Sequence, residues 1–293
     1  MRISDKLLFL RGQKDLQASK TRYAKAQAAL TTGLQVRRAA DDPGAAALAV
    51  RHAAARRRHE DIERNAGRAA DTVTAMDAAL GDVNDALVRA KQLAVQLSND
   101  TYDAAQRAEA ATEVQALFDT VLGRLNMRHG GRYVFGGAKD DVPPFDASGA
   151  YQGDQSVLQV EVAPGLYQDA QIRTDVVIEG GSGGVNVLTV LKDLASALAI
   201  DDTTGIQQAV GDLDTAIEQV SAGRARLGTA MNAFDEAVRI SRTAADRARL
   251  AESHLTESDL VEAASTLAYA QQGLEAAIAA TSKSFESSLL DRM

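Results

Sequence analysis

Cysteine and tryptophan are absent from this chain of 293 residues, and its aromatics, six Phe and six Tyr, make up only 4 % of it. Without cysteine there is no disulfide, no thiolate metal site and no thiol nucleophile, so nothing ties the fold to an oxidising compartment. The shortage of aromatics excludes large aromatic cores and points to thin helical seams filled by Ala, Leu and Val. No stretch reaches the roughly twenty consecutive apolar residues of a membrane span. The start offers only Leu7, Leu8, Phe9 and Leu10 before Arg11, so neither a secretory signal nor membrane insertion is expected. Proline occurs four times, three of them between positions 143 and 164, which leaves most of the chain free to be helical.

What is present is a heptad register. From Ala45 to Leu97 one line runs Leu48, Ala55, Ile62, Ala69, Met76, Val83, Ala90, Leu97 and the other Ala45, His52, His59, Ala66, Val73, Leu80, Leu87, Ala94. A stripe of this kind needs a second long helix to cover it. Ile206, Val210, Leu213, Ile217, Val220, Leu227, Met231, Phe234 and Val238 repeat the same steps, broken only by Arg224. A mainly α fold follows, a long antiparallel coiled-coil bundle with rod geometry. Shorter patterned helices are expected from about Ala104 to Asn126, with Ala111, Val114, Phe118, Val121 and Leu125 inward, and around Val187, Leu191, Leu194 and Leu198.

The chain ends carry their own seams. Phe9, Leu16, Tyr23 and Leu30 lie seven apart, each followed three positions later by Gly12, Ser19, Ala26 and Gly33; Leu260, Leu267 and Leu274 share one line near the other end, with Ile278 and Phe285 on the next. Gly33, Asp41, Asp42, Pro43 and Gly44 mark a break between helices, with Pro43 in the first turn of the next. At the other end Thr256 with Asp259, or Asp259 with Glu262, fits a capping box. These end helices, taken as about five turns each, are marginal alone in water. They are expected to order against other copies of the chain, so Phe9, Leu16, Tyr23, Leu30, Leu260, Leu267, Leu274, Ile278 and Phe285 form the expected assembly interface. Residues 1 to 64 hold 14 Lys or Arg against 7 Asp or Glu, and the rest 18 against 33; opposite signs at the two ends suggest that they pair.

Between Gly130 and Gly184 the character changes. Glycines and prolines crowd together with five of the twelve aromatics, and alternation appears at Leu158, Val160, Val162 and around Ile172 to Ile178, with Pro164 and Gly165 as a turn. A small β insertion is expected there. The expected division is therefore 1–40 with 257–293, 41–129 with 185–256, and a β-rich 130–184.

Catalytic and ligand chemistry finds little support. His52 and His59 stand about 10 Å apart along a helix, too far for one zinc ion, and His129 and His254 have no nucleophile partner, so no enzyme, metal or cofactor is expected. Arg56, Arg57 and Arg58 are followed by Glu60, Asp61 and Glu63 with no interleaved aromatic, which argues against nucleic acid. The glycine pairs lack phosphate-loop spacing and read as turns. Tyr133, Phe145, Tyr151 and Tyr167 could stack on a carbohydrate, as in an adhesin, but filling the core of a small domain suits them better.

Five segments carry a family resemblance. Met1-Arg2-Ile3-Ser4, Arg38-Ala39-Ala40-Asp41-Asp42-Pro43, Arg132-Tyr133-Val134-Phe135-Gly136-Gly137 running to Pro143-Pro144-Phe145, Glu257-Ser258-Asp259-Leu260 and Ser288-Leu289-Leu290-Asp291 resemble, in order, the hook-filament junction proteins (third hook-associated proteins) of the flagellin superfamily. The two ends are shared with flagellins; Tyr133, Phe135, Gly136, Gly137, Pro144 and Phe145, together with Asp41, Asp42 and Pro43, point to the junction group. The resemblance implies an extracellular structural subunit of the bacterial flagellum. It implies a chaperone in the cytoplasm, type III export without a cleavable signal, and contacts with the other hook-associated protein and flagellin. A short flagellin is the alternative.

Overall fold

The computed structural model describes residues 2–99, 102–181 and 183–290, without the side chains of 2–6, 8, 9 and 284–290. Seven helices and four strands appear among them: α1 Arg2–Thr32, α2 Pro43–Leu97, α3 Ala104–Leu125, β1 Arg128–His129, β2 Arg132–Tyr133, β3 Gln159–Ala163, β4 Leu166–Asp169, α4 Thr174–Val177, α5 Val187–Ala199, α6 Thr203–Thr256 and α7 Leu260–Leu290. The mainly α class with a small β part is as expected. The end helices, at 31 residues each, exceed the five turns expected of them. Two compact units divide the chain, Met1–Arg57 with Ala244–Met293, and Arg58–Thr243; α2 and α6 contribute to both.

In the unit spanning 58–243, one apolar cluster joins α2 from Ala66 to Leu97, α3, α5 and α6 from Ile206 to Ala237. α2 and α6 are antiparallel. Glu63 pairs with Arg242 at 3.2 Å, Asp77 with Arg224 at 3.0 Å, and Lys91 with Asp214, so partners climb one helix as they descend the other. Local chemistry sets the ends of the shorter helices. Asp103 and Gln106 form a reciprocal capping box on α3, and the Asn186 side chain accepts from Thr189 N at 2.9 Å on α5.

The seam on α6 lies one residue away from where hydrophobicity alone puts one of its lines. Ile206, Leu213, Val220, Leu227 and Phe234 are buried as expected, but the second line is Ala209, Ala216, Gly223, Ala230 and Ala237. Val210, Ile217, Met231 and Val238 pack half-buried at its flank. Arg224 therefore interrupts nothing: it sits beside the seam and holds Asp77 through two nitrogens at 3.0 and 3.2 Å. On α2 both lines hold from Ile62 to Leu97, whereas upstream Leu48 and Ala55 are exposed and Ala49 is buried instead. A straight helix drifts by about 20° per heptad against a strict seven-residue repeat, and the buried face follows the helix.

The β part shares the core of this unit. β1 and β2 pair across Gly130 and Gly131, both at positive φ (58° and 84°), the backbone a two-residue hairpin requires. β3 and β4 pair antiparallel across the expected turn at Pro164 and Gly165, but the partner strand is Leu166–Asp169, directly after the turn. The expected strand from Ile172 to Ile178 is instead the single-turn helix α4. The turn presents Val177, 2 % exposed, to α6 at Gly223, where an added Cβ would lie 2.7 Å from Val177 Cγ1. Gln219 fixes the same segment, donating to Val177 O at 2.7 Å and Val185 O at 3.1 Å and accepting from Val185 N at 3.2 Å.

Arg107 closes the far end. Only 4 % exposed, it donates to Leu97 O at 3.0 Å, to Asn99 O at 2.9 Å and to Asp201, tying the end of α2 to α3 and to the α5–α6 turn. Asp201 is at φ 62°, the left-handed region that a short polar side chain tolerates.

Arg107→Met should destabilise this unit by about 1 to 3 kcal/mol, because it leaves the carbonyl of buried Leu97 without its donor and removes the charge-assisted bonds that hold Asn99 O and Asp201; urea unfolding measures it. Gly223→Ala should cost about 1 to 2 kcal/mol although alanine favours helix, since stiff, buried Val177 must move. In a Val177→Ala background the same change should be neutral or stabilising, a coupling that a double-mutant cycle on unfolding free energies detects.

Candidate assembly interface

The unit of residues 2–57 and 244–290 is built from α1, α7 and the adjoining turns of α2 and α6. α1 and α7 pair. Their meeting ends are clamped by backbone: Leu34 bridges Glu257, Gln35 N donates to Thr256 O at 2.9 Å, and Ser258 N donates to Gly33 O at 2.8 Å. Gly33, at φ 69°, supplies the left-handed residue that ends α1. Farther along, the backbone of Gly12 approaches Thr281, whose Cγ2 would be 3.8 Å from an added Cβ.

The Asp-Asp-Pro motif has a structural account. Asp42 Oδ1 accepts from Ala45 N at 2.9 Å, capping α2, and Pro43 occupies the first helical position, where its missing N–H costs nothing. Asp41 Oδ2 accepts from Arg38 N at 3.0 Å and Arg37 N at 3.4 Å, folding the preceding turn, and this Arg38 hydrogen bond holds its carboxyl below the usual range. Asp259 caps α7 by accepting from Val261 N at 2.7 Å and Glu262 N at 3.3 Å. Thr256 instead bonds back to Glu252 O at 2.9 Å, so of the two capping boxes considered, the Asp259 one supplies the cap.

Burial in this unit is inverted relative to the other. Its buried apolar residues, among those described, are all alanines: Ala26, Ala49, Ala245, Ala248 and Ala263. Its large apolar side chains face outward, among them Leu10 at 53 %, Val50 at 70 %, Leu250 at 60 %, Val261 at 77 % and Tyr269 at 75 %. Of the expected interface residues, Leu16, Tyr23, Leu30, Leu267 and Leu274 are half-buried, and Leu260 and Ile278 are exposed. Phe9 and Phe285 lie on α1 and α7, but their side chains fall outside the described residues, as does the Ser288–Asp291 motif. No ion pair joins α1 to α7 among the described residues, so the opposite charges of the two ends do not act through direct bridges there. The exposed residues Val50, Leu250, Val261 and Tyr269 were not found by heptad counting, because they lie off the seams; their signal is isolation among alanines.

The second motif cluster organises the β part of the other unit. Phe135 and Phe145 are essentially fully buried, and Asn126 pairs with Phe145 by two hydrogen bonds of 2.9 Å, one to its N–H and one to its carbonyl. A side chain on Gly136 would strike Lys139 O at 2.2 Å and one on Gly137, at φ 68°, Asp154 Oδ1 at 2.1 Å. Pro144 is buried and its carbonyl accepts from Gln152 N at 2.7 Å. Tyr133 is half-buried beneath Arg128, 4.9 Å from the ring centre. Tyr151 packs at 5.1 Å against Phe145 with its hydroxyl against Phe135 O and Asp154 O, leaving only Tyr167 of the four candidate stacking aromatics well exposed. No carbohydrate-stacking surface results.

Burial pushes the Tyr151 phenol up to about 12. A raised folded-state value means its contribution to stability is complete below the unfolded phenol range near pH 10 and is lost as pH rises towards 12. An absorbance titration at the phenolate band should show one late tyrosine, missing in Tyr151→Phe; an unchanged late phase in that variant would contradict the assignment.

Residues 3–140 match the bacterial flagellin N-terminal helical region and residues 210–291 the bacterial flagellin C-terminal helical region. Flagellar hook-associated protein 3 of Salmonella typhimurium is 27 % identical with 94 % of each chain covered, and the flagellin of Halalkalibacterium halodurans is 24 % identical with 89 % of this chain and 88 % of that one covered. The crystal structure of Bacillus cereus FlgL superimposes with a TM-score of 0.58 at 20 % identity, covering 68 % of this chain and 96 % of that one. With flagellin helical regions matched over 3–140 and 210–291 and hook-associated protein 3 aligned over 94 % of both chains, the chain belongs to the flagellin superfamily and is FlgL-like within it.

Proposed function

We propose that this chain is a structural subunit of the bacterial flagellum, standing at the junction between hook and filament and held there by packing of its end helices. The observation that carries the proposal is the burial pattern of α1, α7 and the adjoining turns, where the fully buried apolar residues described are alanines while Leu10, Val50, Leu250, Leu260, Val261, Tyr269 and Ile278 are exposed and the seam leucines are only half-buried. A unit that keeps its apolar payload on its surface gains its stability from neighbours. Those neighbours are other copies of the chain, with the other hook-associated protein and flagellin above and below, and a cytoplasmic chaperone covers the same surface before type III export. The role is mechanical rather than catalytic. The 27 % identity to hook-associated protein 3 over 94 % of both chains supports the junction over the filament.

Deleting residues 260–293 should leave the 58–243 unit cooperatively folded and abolish incorporation, read as loss of motility when the variant replaces the resident hook-associated protein 3 of a flagellated host. A truncated chain that restores motility overturns the proposal. Filaments grown by the full purified chain alone would make it a short flagellin. Amide exchange on the free chain should show 58–243 protected and α1 and α7 exchanging far faster.

A further inference from the structure

The exposed side of α1 and the α1–α2 turn line an open concavity of about 450 Å³, with Ala24 and Ala28 beside Gln17 and Thr21 on its floor and Lys20, Lys25, Arg37 and Arg38 at its rim. Asp41 is the one carboxylate in it. That carboxylate is engaged by the backbone N–H groups of Arg37 and Arg38 and by Lys25 Nζ at 3.7 Å. Lys20, Arg37 and Arg38 have no ion-pair partner among the described residues and are exposed. Two alanine methyls on a floor shared with Gln17 and Thr21, under a rim where Lys20, Arg37 and Arg38 lack ion-pair partners among the described residues, fit an apolar side chain flanked by carboxylates.

The chain itself displays one. Ile200, at the end of α5, is 74 % exposed, among the most exposed large apolar residues in the protein. Asp193 lies seven residues before it on the same face of α5, exposed and without an ion-pair partner among the described residues, and Asp202 follows it in the turn. The unit that bears this turn is acidic, with 16 Lys or Arg against 28 Asp or Glu over residues 58–243, whereas the unit with the concavity has 16 against 12. We infer that the concavity seats the α5–α6 turn of a second copy, with Ile200 on Ala24 and Ala28 and with Asp193 and Asp202 against Lys20, Arg37 and Arg38. This rests on the self-assembly proposed above and names one of its contacts. Two different patches meet, so the contact is heterologous and passes from copy to copy as a ring or stack requires. The charges steer and orient the encounter, and Ile200 fills the hole.

The absence of cysteine makes the test clean. Full-length Ala24→Cys and Ile200→Cys chains are mixed and treated with a short bismaleimide, with Ala24→Cys plus Leu158→Cys as the control pair, since Leu158 is also exposed at 57 %. The first pair should give about tenfold more heterodimer than the control, the gain dropping about tenfold with Arg37→Glu/Arg38→Glu, or with Lys20→Glu on the exposed face of α1, and returning when the partner carries Asp193→Lys. Circular dichroism verifies that each variant is folded. If sedimentation shows assembly but the pair links no better than the control, or links regardless of the charge changes, this contact is wrong while self-assembly stands, and the basic concavity serves a different acidic partner. A chain that neither sediments as oligomers nor links at either pair overturns both.

Discussion

The line of small residues on α6, Ala209, Ala216, Gly223, Ala230 and Ala237, is the constraint on which the 58–243 unit depends. Each removes side-chain volume where a neighbour must come close, so the larger line, Ile206 to Phe234, can fill the space between helices. Gly223 has a second consequence. By admitting Val177 against the helix backbone it seats α4, and with Gln219 four residues before it on the same face, the backbone from 177 to 185 is anchored by contact and by hydrogen bonds at once. The β part is thereby built into the helical core instead of hanging from it, and Phe135, Phe145 and Ile178 belong to the same apolar cluster as Leu80 and Phe234.

Much of this was legible in the sequence because periodicity and caps are local. Asp42-Pro43 and Asp103-Gln106 specify helix starts by short-range hydrogen bonds, and Ile206, Leu213, Val220, Leu227 and Phe234 by sheer apolarity. The companion line was missed because Ala and Gly carry little hydrophobic signal. Val210, Ile217, Met231 and Val238 outweigh them in any apolar count, yet close approach, not transfer free energy, decides which residue faces the partner. The Ile172–Ile178 segment failed for a related reason: its alternation has no strand to pair with, and Gly223 offers its valine a helical dock. The half-buried assembly residues Leu16, Tyr23, Leu30, Leu267 and Leu274 were visible as heptads, whereas the exposed Val50, Val261 and Tyr269 could be found only once the alanine interior was known.

Buried arginine gives the same lesson from the electrostatic side. Arg107 reads in the sequence as one surface charge among many on α3, yet it is almost fully enclosed because three helix or turn ends meet there with unsatisfied carbonyls. A planar, permanently charged group with five donors can satisfy several such acceptors where lysine could not. Its carboxylate partner, Asp201, is held in the left-handed conformation that ends α5, so one ion pair ties a chain reversal to the end of a 55-residue helix. Arg224, by contrast, stays half-exposed and pairs with Asp77 at the seam's edge, where the charge keeps its solvent and the close approach at Gly223 is undisturbed.

The alanine interior of the other unit follows from what an assembling end must keep in reserve. Burying a leucine contributes about 1.5 to 3 kcal/mol, while an alanine methyl contributes roughly 0.8. A pair of end helices that closed on their leucines and valines would have a stable private core and nothing left for neighbours. With only Ala26 and Ala263 of α1 and α7, and Ala49, Ala245 and Ala248 of the adjoining α2 and α6, fully buried, and with Leu16, Leu30, Leu267 and Leu274 half-buried, the unit retains much of the transfer free energy of Leu10, Val50, Leu250, Val261 and Tyr269 for contacts made only in the assembly. The backbone clamp at Leu34 and Glu257 fixes the register of α1 on α7 without spending apolar surface, so the pairing can be specific before it is strong. Weak intramolecular closure and strong intermolecular closure are then two results of one distribution of side chains, alanine fully buried, the seam leucines half-covered, and Val50, Leu250, Val261 and Tyr269 left outward.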